Sequence, residues 1–212
     1  MRSGLNNMPI LQVLGIVFIF KIKEKVSAMK RIFGVMFLLS LVGVFAVNSA
    51  FAVSPDVLAT QAAEKAGEGD PITPDQIIAR VEKAAQLVLA EGISSMDKFR
   101  GKSEFTGNGT YIWIHDLNGE MIMHPMKYKL DGKPILGVKD PNGKRLFSAM
   151  NSLCKKSGAG WVDYMWAKPG SNKPVQKISY VKLVKGDRDY VIGCGIYCDK
   201  ETADKLLATN PQ

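Results

Sequence analysis

The feature that most constrains the fold is a change in the spacing of apolar residues near position 110. Before it they recur at helical intervals, and after it the period becomes two, in five stretches rich in β-branched and aromatic residues. These stretches are residues 111–115, 120–124, 161–167, 175–184 and 189–197. Short turns join the first pair and the last three, and such connections join antiparallel neighbours. The pattern predicts a five-stranded antiparallel sheet.

A long amphipathic helix precedes these strands. Thr73 can cap its first turn, Pro74 suits the first helical position, and Gln76 can complete a capping box. Apolar residues then recur at helical spacing up to Gly92, a typical stop. Shorter helices are predicted after Asn142-Gly143 and over residues 200–208. We expect an α+β domain with the long N-terminal helix on one sheet face. The loop and short helix between strands two and three should cover the other.

Residues 29–52 have the layout of a signal peptide. A basic start, Met29-Lys30-Arg31, is followed by an apolar run of about 16 residues and then by Ala50 and Ala52 at the small-residue cleavage positions. We expect export to the periplasm and cleavage before Val53. The alternative, an uncleaved anchor, is less favoured because about 20 apolar residues are needed to span a bilayer.

The remaining segments complete the predicted domain organisation. Residues 1–28 are interpreted as an upstream extension from a misassigned start codon, since Met29 lies where an initiator is expected; a real, unusually long n-region is the competing interpretation. Residues 53–72 are rich in Ala, Glu and Gly and are assigned to a flexible arm, with a short helix as the alternative. Residues 73–208 form one ligand-binding domain.

The net charge of +8 is unevenly placed along the chain. Residues 1–52 hold six of the basic residues and one acidic residue, so the predicted mature part carries only +3. A nucleic-acid-binding domain needs a basic stripe in its folded part. The charge distribution therefore argues against a nucleic-acid partner.

The residues available for catalysis are few. The chain has two histidines, His115 and His124, and three cysteines without a CxxC pair, and it lacks the common nucleophile, phosphate-loop and zinc motifs. We therefore expect no enzyme, no metal and no cofactor. His115 precedes a turn and is expected at the surface. His124 ends a strand and either points beneath the following loop or makes a structural hydrogen bond. Any disulfide should involve Cys154, and three free thiols are equally expected.

Polar-tipped aromatic residues are dense on the predicted strands. Tyr111 and Trp113 share one face of the first, and Tyr164 and Trp166 share one face of the third. Aromatic rings with an O–H or N–H group can build a cage that is apolar on its walls and polar at chosen points, and Lys177 would add a charge for an anion. Alternatively the rings are core and Lys177 is solvated. The candidate ligand-binding residues are Tyr111, Trp113, His124, Tyr164, Trp166, Lys177 and Tyr180.

Several short motifs, in their order and spacing, resemble the single Cache domains of the second type over about residues 75–200. They are Gly109–Ile114, Asp116–Gly119, Met123–Pro125, Leu130–Lys133, Lys139–Lys144, Gly160–Trp166, Lys177–Val181 and Gly193–Tyr197. Cache domains of this type are periplasmic sensing modules of bacterial chemoreceptors and histidine kinases. The resemblance implies a PAS-like sheet, with a small ligand, commonly an organic acid, held between the sheet and the loop that bears His124.

One feature departs from the receptors of that family. The sequence stops at Gln212, and nothing after Val53 is apolar enough to span a membrane. We expect a free-standing periplasmic protein that binds a small carboxylate, either as the partner of a membrane receptor or histidine kinase or as a scavenger. The alternative is a ligand-free structural or interaction module that docks on a membrane complex.

Overall fold

A computed structural model describes residues 52–211 of the chain. The predictions for residues 1–28 and for the signal peptide, apart from Ala52, lie outside this range. The helices are α1 (Pro55–Ala66), α2 (Pro74–Glu91), α3 (Leu146–Ser157) and α4 (Lys200–Leu207), with short 3-10 helices at Gly92–Phe99 and Tyr128–Leu130. The strands are β1 (Thr106–Gly107), β2 (Thr110–Tyr111), β3 (Trp113–Asp116), β4 (Met121–Met123), β5 (Ala159–Ala167), β6 (Pro174–Lys185) and β7 (Asp189–Tyr197).

Strands β3 to β7 form one five-stranded sheet in the order β4-β3-β7-β6-β5, and every neighbouring pair is antiparallel. The predicted α+β class and antiparallel sheet are confirmed. The first predicted strand is divided, because Tyr111 lies in β2, which pairs with β1, whereas Trp113 begins β3.

Helix α2 covers one face of the sheet, as expected. Thr73 Oγ1 accepts a hydrogen bond from the Gln76 amide and the Gln76 side chain accepts one from the Thr73 amide, so the capping box is present. The buried face of α2 packs on strand residues of one hydrophobic cluster that includes Ile114, Ile178 and Ile192.

Helix α3 covers the opposite face. Its apolar residues, among them Leu146, Phe147 and Met150, pack on a second cluster that includes Tyr111, Trp113, Tyr164 and Val181. The alternation of strand side chains separates the two clusters, since successive residues point to opposite faces. Four of the aromatic residues singled out in the sequence, Tyr111, Trp113, Tyr164 and Trp166, therefore lie beneath α3.

The N-terminal part of the described chain differs from the flexible arm expected for residues 53–72. Ser54 caps helix α1, and Ala62 and Ala66 of this helix are fully buried. The turn after β1 fixes its C-terminal end, because the Asn108 and Gly109 amides donate to backbone carbonyls of Glu68 and Ala66. A short helix, the alternative considered for this segment, is what the structure has.

Within residues 52–211, none of the helices has the length and hydrophobicity needed to cross a membrane. All three cysteines are free, and Cys154 and Cys194 are buried.

Candidate ligand-binding site

Lys177, the fourth residue of β6, is the most unusual residue of the domain. Its side chain is 0% exposed, and its ammonium nitrogen Nζ has no hydrogen-bond partner among the described residues. Nζ lies 4.3 Å from the ring centroid of Tyr111, 5.2 Å from that of Trp113 and 5.0 Å from that of Tyr197. Ring faces attract a cation, but they do not replace the hydrogen bonds that it makes in water.

Strand register explains how these groups meet. Lys177 pairs with Tyr164 on β5 and with Tyr197 on β7, so the three side chains share the sheet face beneath α3. Ser179, two residues further along β6, is on the same face, and its hydroxyl lies 3.0 Å from the Tyr164 hydroxyl.

Two glycines of β7 make room for this arrangement. A Cβ atom at Gly193 would meet Trp113 Cζ2 at 2.2 Å, and one at Gly195 would meet Ser179 Oγ at 2.0 Å. The indole of Trp113 therefore lies directly on the β7 backbone. Glycines inside a strand commonly mark such a close approach.

A small, partly enclosed cavity lies against the Tyr111 and Trp113 rings that contact the lysine, although Lys177 itself is not one of its lining residues. Its volume is ≈ 10 Å³, and its lining residues are Tyr111, Trp113, His124, Leu146, Phe147, Tyr164 and Trp166. A space of this size holds about one water molecule. Any larger ligand needs the surrounding side chains to move.

A β-bulge directs His124 toward this cavity. Ile114 pairs with Met123 and His115 pairs with Met121, so Ile122 is an extra residue in β4. The extra residue reverses the alternation, which places the ring of His124 5.2 Å from that of Tyr111.

The protonation of His124 follows from its partners. Its Nδ1 accepts hydrogen bonds from the amides of Met126, at 3.3 Å, and Lys127, at 3.0 Å. The neutral ring consequently carries its hydrogen on Nε2, which is a donor. Burial, and then the nearby charges of Lys177, Lys127 and Arg100, hold the pKa of His124 well below its ordinary value, so the ring is neutral at physiological pH.

Burial also lowers the pKa of Lys177, and together with the opposing effect of Cys194 and a small further lowering by the charge of Lys127 it brings that pKa to about 7. Among the described residues no carboxylate pairs with this ammonium group. Trp113 Nε1 is a second buried donor without a partner. Trp166 Nε1 donates to the Tyr111 hydroxyl at 3.0 Å.

The structure brings six of the seven candidate residues together and separates the seventh. Tyr180 lies on the opposite sheet face, where its ring is 5.3 Å from that of Trp161 and packs against the α2 cluster. Tyr180 is three residues from Lys177 along β6, and side chains an odd number of residues apart in a strand point to opposite faces, so it is not near the other six. Tyr197, which the sequence analysis missed, takes a place beside the lysine.

His115 also differs from its expected position. It is 0% exposed, and its Nε2 lies 2.9 Å from the side-chain oxygen of Asn151 on α3. It is therefore a structural histidine between the sheet and α3.

Comparison with known proteins places this geometry among sensor domains. A family model described as Cache domain matches residues 94–202. The methyl-accepting chemotaxis protein McpP of Pseudomonas putida is 43% identical over 94 residues, which are 44% of this chain and 17% of that protein's length. The chain thus spans about a sixth of this curated relative.

Two solved structures are similar in sequence and fold. One, described as the periplasmic sensor domain of a chemotaxis protein, is 35% identical, with a TM-score of 0.52, over 59% of this chain and 94% of that structure. The other is described as the structural basis for carboxylic acid recognition by a Cache chemosensory domain. It is 35% identical, with a TM-score of 0.51, over 59% of this chain and 92% of that structure.

Proposed function

The chain belongs to the Cache domain family, and we propose that it senses a small organic acid, which it binds beside Lys177. Cache domains of this kind are the periplasmic sensor domains of chemotaxis receptors. The observation that carries the choice of ligand is the fully buried ammonium group of Lys177, which no side chain of the described region neutralises. We infer a non-enzymatic role, with a membrane receptor or histidine kinase as the partner.

Three donors lie at or next to the cavity. Trp113 Nε1 in its lining and Lys177 Nζ behind the Tyr111 and Trp113 rings have no partner among the described residues, and His124 carries its hydrogen on Nε2. An ionised carboxylate accepts hydrogen bonds and donates none. It would satisfy these donors and offset the charge of Lys177, whereas an amine would add a second positive charge. The carboxylic acid recognition described for one structural relative supports the same ligand class.

The walls restrict the rest of the ligand. The cavity measures ≈ 10 Å³ and is lined otherwise by Leu146, Phe147 and the ring faces of the cluster. Burying a short alkyl group there is favourable, while a second charged group would remain unpaired. We expect monocarboxylates of two to four carbons to bind best, with a small outward movement of the walls.

A second candidate function is a closed interaction module without a ligand. The small size of the cavity favours it, because no organic acid fits the present packing. In that case the buried Lys177 would favour one fold over alternative packings, as some buried polar groups do.

A thermal-shift screen separates the two candidates. We would test acetate, propionate, butyrate, succinate, glycine and methylammonium at matched ionic strength, and follow each hit by isothermal titration. A ligand at a hundredfold excess over its Kd stabilises the folded state by about 2.7 kcal/mol, or roughly 5–10 °C for a domain of this size. Monocarboxylates should raise Tm and methylammonium should not. Unchanged Tm with every acid would favour the closed module.

A further inference from the structure

A larger cleft lies outside the small cavity. Its volume is ≈ 590 Å³, and its walls come from α1, from residues 126–130 and from residues 167–172. Tyr111 and His124 line both the cleft and the small cavity, so they form the wall between them. A ligand in the cleft is therefore one layer of side chains from the buried cluster.

The cleft is positively charged. Lys127, Lys129 and Lys168 line it, and Asp56 is the only acidic residue among its lining residues. Three basic side chains therefore face one carboxylate, which accepts a hydrogen bond of 2.7 Å from the Tyr128 hydroxyl. A cleft lined by one sign of charge concentrates ions of the opposite sign and raises their association rate.

Two of these lysines lie on rings that lead to Lys177. Lys127 Nζ lies 4.2 Å from the ring centroid of Trp166, whose indole N–H donates to Tyr111. Lys168 Nζ lies 5.7 Å from the ring centroid of Tyr197, whose other contact of this kind is Lys177. The exposed charges are thus held close to the buried one.

We propose that this cleft is the entrance through which a small organic anion reaches Lys177, with Lys127 and Lys168 as steering residues and Tyr111 and His124 as the wall that parts. This inference rests on the proposed function and adds a route and a kinetic role to it. Entry requires Tyr111 and His124 to part, and holding the acid requires the other cavity walls to move slightly outward.

A neighbouring cavity is an alternative entrance, which the test of the proposal must distinguish from the cleft. It has a volume of ≈ 540 Å³ and is lined by Ala66, Ile72, Ile196 and Tyr197 among others. Lys168 lines both spaces, whereas Lys127 lines only the cleft beneath α1. The effect of Lys127 therefore distinguishes the two routes.

Stopped-flow kinetics with propionate, followed by intrinsic tryptophan fluorescence, tests the entrance. Lys127→Gln and Lys168→Gln should each lower kon about tenfold at low ionic strength, within the range known for electrostatic steering, and change koff less than twofold. The loss should shrink in 0.5 M NaCl. Lys133→Gln removes the same charge from an exposed loop position outside both cavities and should leave kon unchanged. Slower binding in Lys168→Gln alone would move the entrance to the neighbouring cavity, and equal effects of all three variants would remove the steering role.

Iodide quenching tests the cleft without any acid. Trp166 is half-buried beneath Lys127, so iodide should quench wild-type fluorescence more than it quenches Lys127→Gln. Neutral acrylamide should quench both equally. Equal iodide quenching would overturn the entrance and leave the proposed function standing. A protein that binds no acid but keeps the iodide difference would instead contradict the proposed function.

Discussion

At the scale of single residues, the domain retains a buried charge that lowers the stability of the folded state. An ammonium group without partners in a protein interior is destabilising by several kcal/mol, and three ring faces offset only part of this. A methionine or leucine at this position would pack without that cost. Under the proposed function, a bound anion would neutralise Lys177 and offset this cost.

The protonation of Lys177 predicts how affinity depends on pH. Its pKa in the free protein is about 7, and a bound carboxylate favours the charged form. A small carboxylic acid is ionised throughout the range from pH 6 to 9. The affinity should change little near pH 6 and weaken above pH 7, approaching tenfold per pH unit. His124 adds no titration in this window because its pKa is far lower.

Isothermal titration with propionate at half-unit pH steps measures this dependence. Circular dichroism at each pH checks that the fold persists. An affinity that stays constant from pH 6 to 9 would show that the ammonium group of Lys177 does not contact the ligand.

The same pKa predicts a stability difference in the ligand-free protein. The folded-state pKa of Lys177 lies below the value of about 10.4 expected when unfolded, so between pH 7 and 10 the unfolded chain binds more protons. This term raises the stability of the wild type as the pH rises through that window. Lys177→Met has no such titrating group, so its free energy of unfolding should exceed that of the wild type at pH 7, and this difference should narrow toward pH 10. Urea unfolding of both proteins measures the difference, and a difference that widens would contradict the burial of the charge.

At the scale of strands, the pairing register and the β-bulge place the site residues. The register can be predicted from the sequence, whereas the bulge cannot. The turn after β6 pairs Lys185 with Asp189, and counting back from it pairs Lys177 with Tyr197. Tyr197 could therefore have been found from the sequence, and Tyr180 rejected by alternation. The bulge at Ile122 has no sequence signal of its own, so the orientation of His124 could not be derived without the resemblance.

The close approach of β7 to Trp113 gives a prediction for Gly193→Ala. Because the added Cβ would meet the indole at 2.2 Å, Trp113 must shift, which should lower the free energy of unfolding by about 1–3 kcal/mol and weaken acid binding. Gly186→Ala is the matched control, since its Cβ would meet no atom closer than 3.9 Å. Urea unfolding compares the two. Equal stability of both variants would mean that Trp113 does not depend on the glycine.

At the scale of the whole molecule, residues 53–211 form one compact unit. Its sheet and the α2 layer on one face were predictable because the helical period of α2 and the period of two in the strands are both strong signals. Helix α1 was assigned to a flexible arm, since an Ala- and Gly-rich segment gives a weak pattern and its burial depends on the distant turn at Asn108.

The compact unit begins where the predicted cleavage site ends, which gives a prediction about the mature protein. We expect periplasmic material to start at Val53, because Ala50 and Ala52 occupy the positions that signal peptidase reads. Intact-mass measurement and N-terminal sequencing of a periplasmic extract determine the start. Recovery of a chain that still carries residues 1–28 would contradict both the cleavage and the start-codon interpretations.

The most direct test of the account is an isothermal titration of propionate into Lys177→Met. This change removes the ammonium group while nearly keeping the volume, and Lys185→Met, an exposed position on the same strand, is the matched control. The account predicts that Lys177→Met folds, with unchanged or higher Tm, and loses affinity at least a hundredfold, while the control binds like wild type. Equal binding by Lys177→Met and wild type would remove Lys177 from the site and, with it, the reason to expect an anionic ligand.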